Sequence, residues 1–374
     1  MVENSQRRKI KVIISGGGTG GHIFPAVAIA NELKRVNAEN EILFVGAEGR
    51  MEMEKVPAAG YDIVGLRIAG IQRKFDLKNL TLPFKVLSSV IMSRNIIREF
   101  KPQAVVGVGG YASGPLLYAA TMMRIPSLIQ EQNSFAGITN KILSRRVAKV
   151  CVAYDGMSNY FPAEKIVMTG NPVRQDVVNT EGKKTEACQY FNLDPNKKTV
   201  LVIGGSLGAR SINEAIQKGL KKCAAQDIQL IWQTGKHFFS HAKEAASGFE
   251  SNSIRVHDFI SRMDLAYSCA DVVVSRAGAS SVSELELVAK PCILVPSPNV
   301  AEDHQTKNAM ALVTKNAALL VHDGEAGGRL VDIALDLVKD SEKQKILSQN
   351  ISKLALRNAA EKIVEEIYKM LEKK

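Results

Sequence analysis

Short apolar runs separated by helix-length intervals recur along the chain, and glycines follow several of them. The β-branched run Val12–Ile14 leads into Gly16-Gly17-Gly18-Thr19-Gly20-Gly21-His22, which predicts a strand covered on both faces, a sharp turn and the opening of a helix. Glu41–Gly46 and Tyr61–Leu66 continue as strands, so the alternation predicts a doubly wound parallel sheet with right-handed crossovers. Ala104–Pro115 repeats the strand, glycine turn and helix. The run from Pro126 ends a strand at Glu131, Gln132 and Asn133, while Lys149–Ala153 and Lys165–Thr169 supply the last strands of this half. Gly170-Asn171-Pro172-Val173-Arg174 reads as the exit from the domain.

After the lysine-rich Glu181–Lys198 the pattern starts again at Thr199–Gly204, and Ile228–Gln233, Ile254–Phe259, Val272–Ser275 and Cys292–Val295 predict a second α/β domain. The expected division is 8–174, 175–340 and a single C-terminal helix, 341–374. Its apolar residues Ile346, Leu347, Ile351, Leu354, Ile363, Val364, Ile367 and Leu371 keep a helical period, and it is expected to pack back on the first domain.

A chain of 374 residues suits two such domains, which implies a cleft. With 45% hydrophobic and 23% charged residues, both can bury cores. No run of about 18 uncharged apolar residues occurs, and the N-terminal apolar stretch ends in glycines without a cleavage pattern, so a cytoplasmic location is expected. Cys151, Cys188, Cys223, Cys269 and Cys292 are scattered, which favours reduced packing thiols over disulfides or a zinc site. The net charge of +11 suits nucleic acid, an anionic membrane surface or a phosphate-rich substrate, and does not choose among them.

The first glycine loop offers backbone N–H groups and a helix N-terminus to a phosphorylated ligand, with His22 at its mouth. A second glycine turn on the same sheet could hold a second phosphate. His22 is either a base, kept neutral by the helix N-terminus, or a residue that orders the loop. In Asp271–Leu287, Ser280 and Ser281 open a helix as caps or phosphate donors, and Glu284 either compensates the helix dipole or grips vicinal sugar hydroxyls. From Arg67 to Lys101, basic residues alternate with Phe75, Leu80, Phe84 and other apolar residues. This is a membrane-facing surface or an ordinary amphipathic helix. Gly16-x-Gly18-x-x-Gly21 also fits a dinucleotide fingerprint, but the second strand ends Phe44-Val45-Gly46-Ala47 without the acidic residue which that reading wants, and Glu48 comes late. No D-x-D triplet occurs.

Gly16–His22, Gly107–Tyr111, Glu131-Gln132-Asn133, Gly170–Arg174, Gly204-Gly205-Ser206, Arg276-Ala277-Gly278, Ser283-Glu284 and Asp303–Asn308 form an ordered set. By this set the chain resembles, over nearly its whole length, the MurG-type N-acetylglucosaminyltransferases of peptidoglycan synthesis, in glycosyltransferase family 28. The resemblance implies a GT-B fold of two Rossmann-like domains facing across a cleft. It also implies inverting transfer of GlcNAc from UDP-GlcNAc to the C4 hydroxyl of MurNAc in an undecaprenyl-diphosphate-linked muramyl-pentapeptide (lipid I), giving a β1,4 linkage.

Carried over by motif, Thr19, Gly20, Gly21, Asn133 and Arg174 meet the donor. Ser206 and the helix start Ala279, Ser280, Ser281, Val282, Ser283 and Glu284 hold its diphosphate and ribose, Ile260 its uracil and Gln305 its sugar. Gly17, Gly18, Gly109, Gly110, Tyr111 and Glu131 meet the acceptor, Phe75, Leu80, Phe84 and Lys85 form a membrane patch, and His22 is the base. Leu207 and His304 stand where some relatives carry glutamine. The implied partners are UDP-GlcNAc, lipid I and the anionic cytoplasmic face of the cell membrane, with no nucleic acid, cofactor or metal ion. A related UDP-GlcNAc 2-epimerase or glycolipid transferase would share the donor site and differ at the acceptor loops. A nonenzymatic membrane-binding protein would leave the two glycine-rich clefts unexplained.

Overall fold

The computed structural model describes residues 7–68, 82–205, 207–249 and 254–372. The chain forms two units, Met1–Arg174 together with Arg357–Lys374, and Gln175–Leu356.

In the first unit the strands are β1 (Lys11–Gly16), β2 (Glu41–Ala47), β3 (Asp62–Leu66), β4 (Ala104–Gly109), β5 (Ser127–Glu131), β6 (Lys149–Val152) and β7 (Ile166–Met168). They pair in parallel in the order β3-β2-β1-β4-β5-β6-β7. Its helices are α1 (Gly20–Val36), α2 (Glu52–Ala58), α3 (Leu82–Phe100), α4 (Ser113–Met122) and α5 (Ile138–Ser144). Alternate residues of β1 feed opposite cores. Val12 and Ile14 join Ile29 and Leu33 of α1, while Ile13 joins Ile97, Leu116 and Leu143 of α3, α4 and α5. A parallel strand buried on both faces cannot alternate apolar with polar residues, which is why β1 reads as an unbroken apolar run.

The second unit repeats the plan with β8 (Thr199–Ile203), β9 (Gln229–Gln233), β10 (Ile254–His257), β11 (Val272–Ser275), β12 (Cys292–Leu294) and β13 (Leu319–Leu320). Their order is β10-β9-β8-β11-β12-β13, again all parallel. Its helices are α6 (Gln175–Val178), α7 (Lys184–Tyr190), α8 (Arg210–Ala225), α9 (Phe239–Ala246), α10 (Met263–Cys269), α11 (Ala279–Val288), α12 (His304–Val313), α13 (Ala326–Lys339) and α14 (Ser341–Ser352). In each sheet the order reverses beside the first strand, between β1 and β4 and between β8 and β11. The crevice beyond the carboxyl ends at such a reversal is where open α/β sheets take ligands.

The two doubly wound Rossmann-like sheets are those that the sequence pattern predicts. The two-residue β13 is not anticipated, because two residues carry no period. The closing stretch differs from the single helix expected. It is α14 and a separate α15 (Ala359–Glu372), with the chain turning at Asn358, which has a φ of +61°. The apolar residues of the two halves serve different cores: Leu347 belongs to the second unit's, and Ile363, Ile367, Tyr368 and Leu371 to the first's. The segment 341–356 therefore stays with the second unit. All five cysteines are buried and free, and among the described residues no helix is long and apolar enough to cross a membrane.

Asn40 ties α15 to the first sheet. Fully buried, it accepts from Ile10 N–H at 2.9 Å and donates to Leu33 C=O at 2.7 Å and to the Tyr368 hydroxyl at 3.0 Å. Asn40→Ala strands these partners and is expected to cost on the order of 3 kcal/mol. Urea unfolding measures the loss, and faster proteolytic release of the C-terminal segment accompanies it.

Candidate functional site

At the first reversal, the loop after β1 lies against the loop after β4. Gly17 N–H donates to Gly109 C=O at 3.3 Å. A Cβ on Gly109 would fall 2.7–2.8 Å from the His22 ring, and Gly109 has a φ of +112°, so only glycine serves there. His22, in the first turn of α1, is held through Nδ1, 2.9 Å from Gly17 C=O. A carbonyl oxygen can only accept, so Nδ1 carries the proton and Nε2, on the side facing Gly109, is the basic nitrogen of the neutral ring.

Two N–H groups expected to meet a ligand are engaged within the protein. Gly17 N–H goes to Gly109, and Gly18 N–H goes to the Glu52 carboxylate at 2.8 Å. Gly17 is buried and Gly18 exposed. What the loop presents is the helix start: Thr19, at the N-cap with its hydroxyl not used for capping, then Gly20 and Gly21. Gly110 sits against the Gly17 backbone, and Tyr111 is half exposed with the Arg50 guanidinium 5.7 Å from its ring centroid.

Glu131 differs from the expectation of a ligand-facing residue. It is buried, and its carboxylate accepts from Asn133 N–H at 3.1 Å, Gly137 N–H at 3.2 Å and Asn140 Nδ2 at 2.8 Å. It shapes the loop that carries the partly buried Asn133. Arg174 is exposed at the last position of this unit's main segment.

In the second unit a cavity of about 570 Å³ opens at the reversal between β8 and β11. Gly204, Gly205, Leu207 and Gly208 line it from the turn after β8, Gly278 and Ser281 from the start of α11, and Gln305 from α12. Gln305 Oε1 accepts from Ser297 N–H at 2.9 Å, which fixes its amide. Leu207 is 73% exposed at this turn, an apolar surface on the cavity wall. Ser206 lies outside the described residues.

Of the α11 start, Ala279, Val282 and Ser283 are buried, and the Ser280 hydroxyl oxygen is buried without a hydrogen-bond partner among the described residues. Ser281 is the hydroxyl residue of this helix start that lines the cavity. Ile260 is 3% exposed and its N–H is taken by Gln233 Oε1 at 3.1 Å, so its side chain belongs to the interior. Phe75 and Leu80 lie outside the described residues, Phe84 falls within α3, and Lys85 is exposed.

Several residues of these sites were not singled out from the sequence. Arg276 bonds Asp323, the Ser211 hydroxyl at 3.1 Å and Val295 C=O at 3.0 Å, which braces one wall of the cavity. Arg276 falls in a recognised motif, but nothing in the sequence pairs it with Asp323, 47 residues away. Tyr267, fully buried, donates its hydroxyl to Glu284 Oε2 at 2.8 Å. Burial first, then the Glu284 charge, push the phenol well above its usual value, so it remains a donor and orients the carboxylate. Among the described residues no three His, Cys, Asp or Glu side chains cluster as metal ligands.

Glu286, two residues beyond Glu284 on α11, is handled differently. Burial pushes its carboxyl up to about 8, against the opposing pull of Lys315. A raised acid binds its proton more tightly when folded. Its contribution is therefore complete below the unfolded value and is lost as pH rises through about 8. Glu286→Gln should match the parent in thermal melts near about pH 4 and exceed it near about pH 9.

Comparison with known proteins follows the same division. The model of the glycosyltransferase family 28 N-terminal domain matches residues 12–152, and that of the family 28 C-terminal domain matches residues 199–367. A Parabacteroides distasonis protein named UDP-N-acetylglucosamine--N-acetylmuramyl-(pentapeptide) pyrophosphoryl-undecaprenol N-acetylglucosamine transferase is 56% identical over 98% of this chain and all of its own. A protein of the same name from Phocaeicola vulgatus is 57% identical over 97% of both chains. The crystal structure of Acinetobacter baumannii MurG superposes with a TM-score of 0.77 at 28% identity, over 97% of this chain and all of that one. Both halves match in order and the relatives match end to end: the chain belongs to glycosyltransferase family 28.

Proposed function

We propose that this protein transfers N-acetylglucosamine from UDP-GlcNAc to the C4 hydroxyl of N-acetylmuramyl-pentapeptide carried on undecaprenyl diphosphate, with inversion to a β1,4 linkage. The observation that carries the proposal is identity of 56–57%, nearly end to end, to relatives named as N-acetylglucosamine transferases acting on N-acetylmuramyl-(pentapeptide) pyrophosphoryl-undecaprenol.

The chemistry needs a base and a place for the leaving diphosphate. His22 Nε2 takes the proton from the attacking hydroxyl, because Nδ1 already holds a proton against Gly17 C=O. The hydroxyl oxygen attacks the anomeric carbon, the glycosidic C–O bond breaks, and the electron pair leaves with UDP. The glycine turn after β8 and the start of α11, with Ser281, receive the diphosphate, where a helix N-terminus favours negative charge. Glu284, oriented by Tyr267, accepts from ribose hydroxyls, and Gln305 donates to the sugar.

The test is mass-spectrometric detection of transfer from UDP-GlcNAc to a short-chain lipid I analogue, with excess EDTA present. One N-acetylhexosamine added per acceptor is the expected result. His22→Ala should lower kcat by on the order of 10²–10⁴. UDP-GlcNAc binding without transfer to this acceptor would overturn the acceptor assignment.

The acceptor's lipid calls for a membrane surface, and the first unit has a candidate. Val86, Leu87 and Ile91 of α3, Met122 of α4, and Ile138 and Ile142 of α5 are large apolar residues left exposed. Exposed Lys85, Arg94, Arg98, Arg145 and Arg146 lie among them on the same helices or just after α5. Arg146 covers the Tyr118 ring at 5.1 Å. Exposed apolar side chains with cations on the same helices suit peripheral binding to the anionic cytoplasmic face of the cell membrane. Leu87→Asp with Ile91→Asp should weaken sedimentation with anionic vesicles at least about tenfold, given the apolar area lost, and leave transfer to the water-soluble acceptor unchanged.

A further inference from the structure

Beneath the first glycine loop lies a carboxylate that the reaction as described does not use. Glu52, the first residue of α2, is 1% exposed. Its hydrogen-bond partners among the described residues are two backbone N–H groups, Gly18 to Oε2 at 2.8 Å and Ala47 to Oε1 at 3.0 Å. Its side chain fills the space that a Cβ would need at Gly17 and at Gly46, so these two glycines make room for it. A carboxyl group taken this far out of water is costly unless its acceptors are satisfied, and here the backbone satisfies both oxygens.

The peptide between Gly17 and Gly18 is the connection to chemistry. Its N–H points to Glu52 and its C=O, on the opposite edge of the same plane, accepts from His22 Nδ1 at 2.9 Å. Carboxylate, peptide and imidazole thus form one line of hydrogen bonds. Negative charge at the N–H end polarises the amide and strengthens its carbonyl as an acceptor. A stronger acceptor holds the proton on Nδ1 and raises the electron density at Nε2. A carboxylate set directly against an imidazole has the same effect. Because the peptide is planar, tilting the N–H away from Glu52 also tilts the carbonyl away from His22.

We propose that Glu52 is a positioning residue for His22, acting through the Gly17–Gly18 peptide to fix its tautomer and the direction of Nε2. The inference rests on the reading of His22 as the base.

Glu52→Gln keeps the size of the side chain but removes its charge and sets an NH2 against one of the two N–H donors. Spectra of protein labelled with 15N-histidine are expected to show His22 as the single Nδ1–H tautomer in the parent and as a mixture in the variant. An unchanged tautomer would overturn the relay, whatever the kinetics. In the transfer assay, kcat should fall about 10- to 100-fold, as for a displaced catalytic group, with the KM for UDP-GlcNAc within about twofold. A double-mutant cycle then isolates the route. In a His22→Ala background the Glu52 substitution should change kcat by less than about twofold. An equal loss in both backgrounds would mean that Glu52 acts on something other than His22. Should His22→Ala itself leave kcat unchanged, the base assignment fails, while the tautomer measurement still decides the relay. Glu52→Asp, one methylene shorter, should not restore kcat, because it cannot span both amides. Full restoration would count against the two-point grip.

Discussion

Backbone contact between two glycine turns is the constraint on which the first unit's site depends. Gly17 donates to Gly109, and the backbone of Gly17 occupies the space beside Gly110 where a side chain would stand. No side chain fits between the turns, so the His22 ring can lie against Gly109 and receive a fixed orientation from Gly17 C=O. This arrangement exists because β1 and β4 are neighbours at the point where the strand order reverses. Loops that leave adjacent strands in the same direction meet at the carboxyl edge, and loops of glycine can meet without a gap.

The second unit repeats the strand order and uses its loops differently. In the first unit the N–H groups of Gly17 and Gly18 are spent on the protein itself, which suits a site whose task is to aim an imidazole. In the second, the turn after β8 and the start of α11 leave a cavity of about 570 Å³, braced by Arg276 and Asp323 rather than filled. An anion needs that kind of space, with helix N–H groups still to be used. One topology thus supplies a tight turn that orients an imidazole and an open turn that lines a cavity. What separates them is how many of the loop donors find partners within the chain.

The strands were legible because parallel strands buried on both faces announce themselves as apolar runs: Val12–Ile14, Val200–Ile203 and Val272–Val274 need no partner to be recognised. The glycine turns were legible for the same local reason. The break between α14 and α15 was not. The apolar period continues across it, and only the two different cores reveal that Leu347 and Ile363 face different neighbours. The sites divide along the same line. Gly109, Ser281 and Gln305 sit in short motifs with a local signature, whereas Arg276–Asp323, Tyr267–Glu284 and Gly18–Glu52 are pairings between distant segments that no spacing encodes.

Four glutamates show why residue type alone could not assign these roles. Glu131 and Glu52 are both buried and both satisfied by backbone N–H groups, yet one shapes a polar loop and the other grips the peptide that holds His22. Glu284 has one oxygen fixed by a buried phenol, which leaves the orientation of the other determined. The carboxyl of Glu286, on the same helix, has no hydrogen-bond partner among the described residues, and burial holds it up to about 8. A carboxylate that meets N–H donors can stay charged and organise its surroundings, whereas one buried without such donors keeps its proton. Glu284 and Glu286 are two residues apart, and turning through that angle on α11 moves a carboxyl group from one condition to the other. The chemistry of each glutamate is therefore set by which element packs against its face of the helix or loop, a property of the fold and not of the residue.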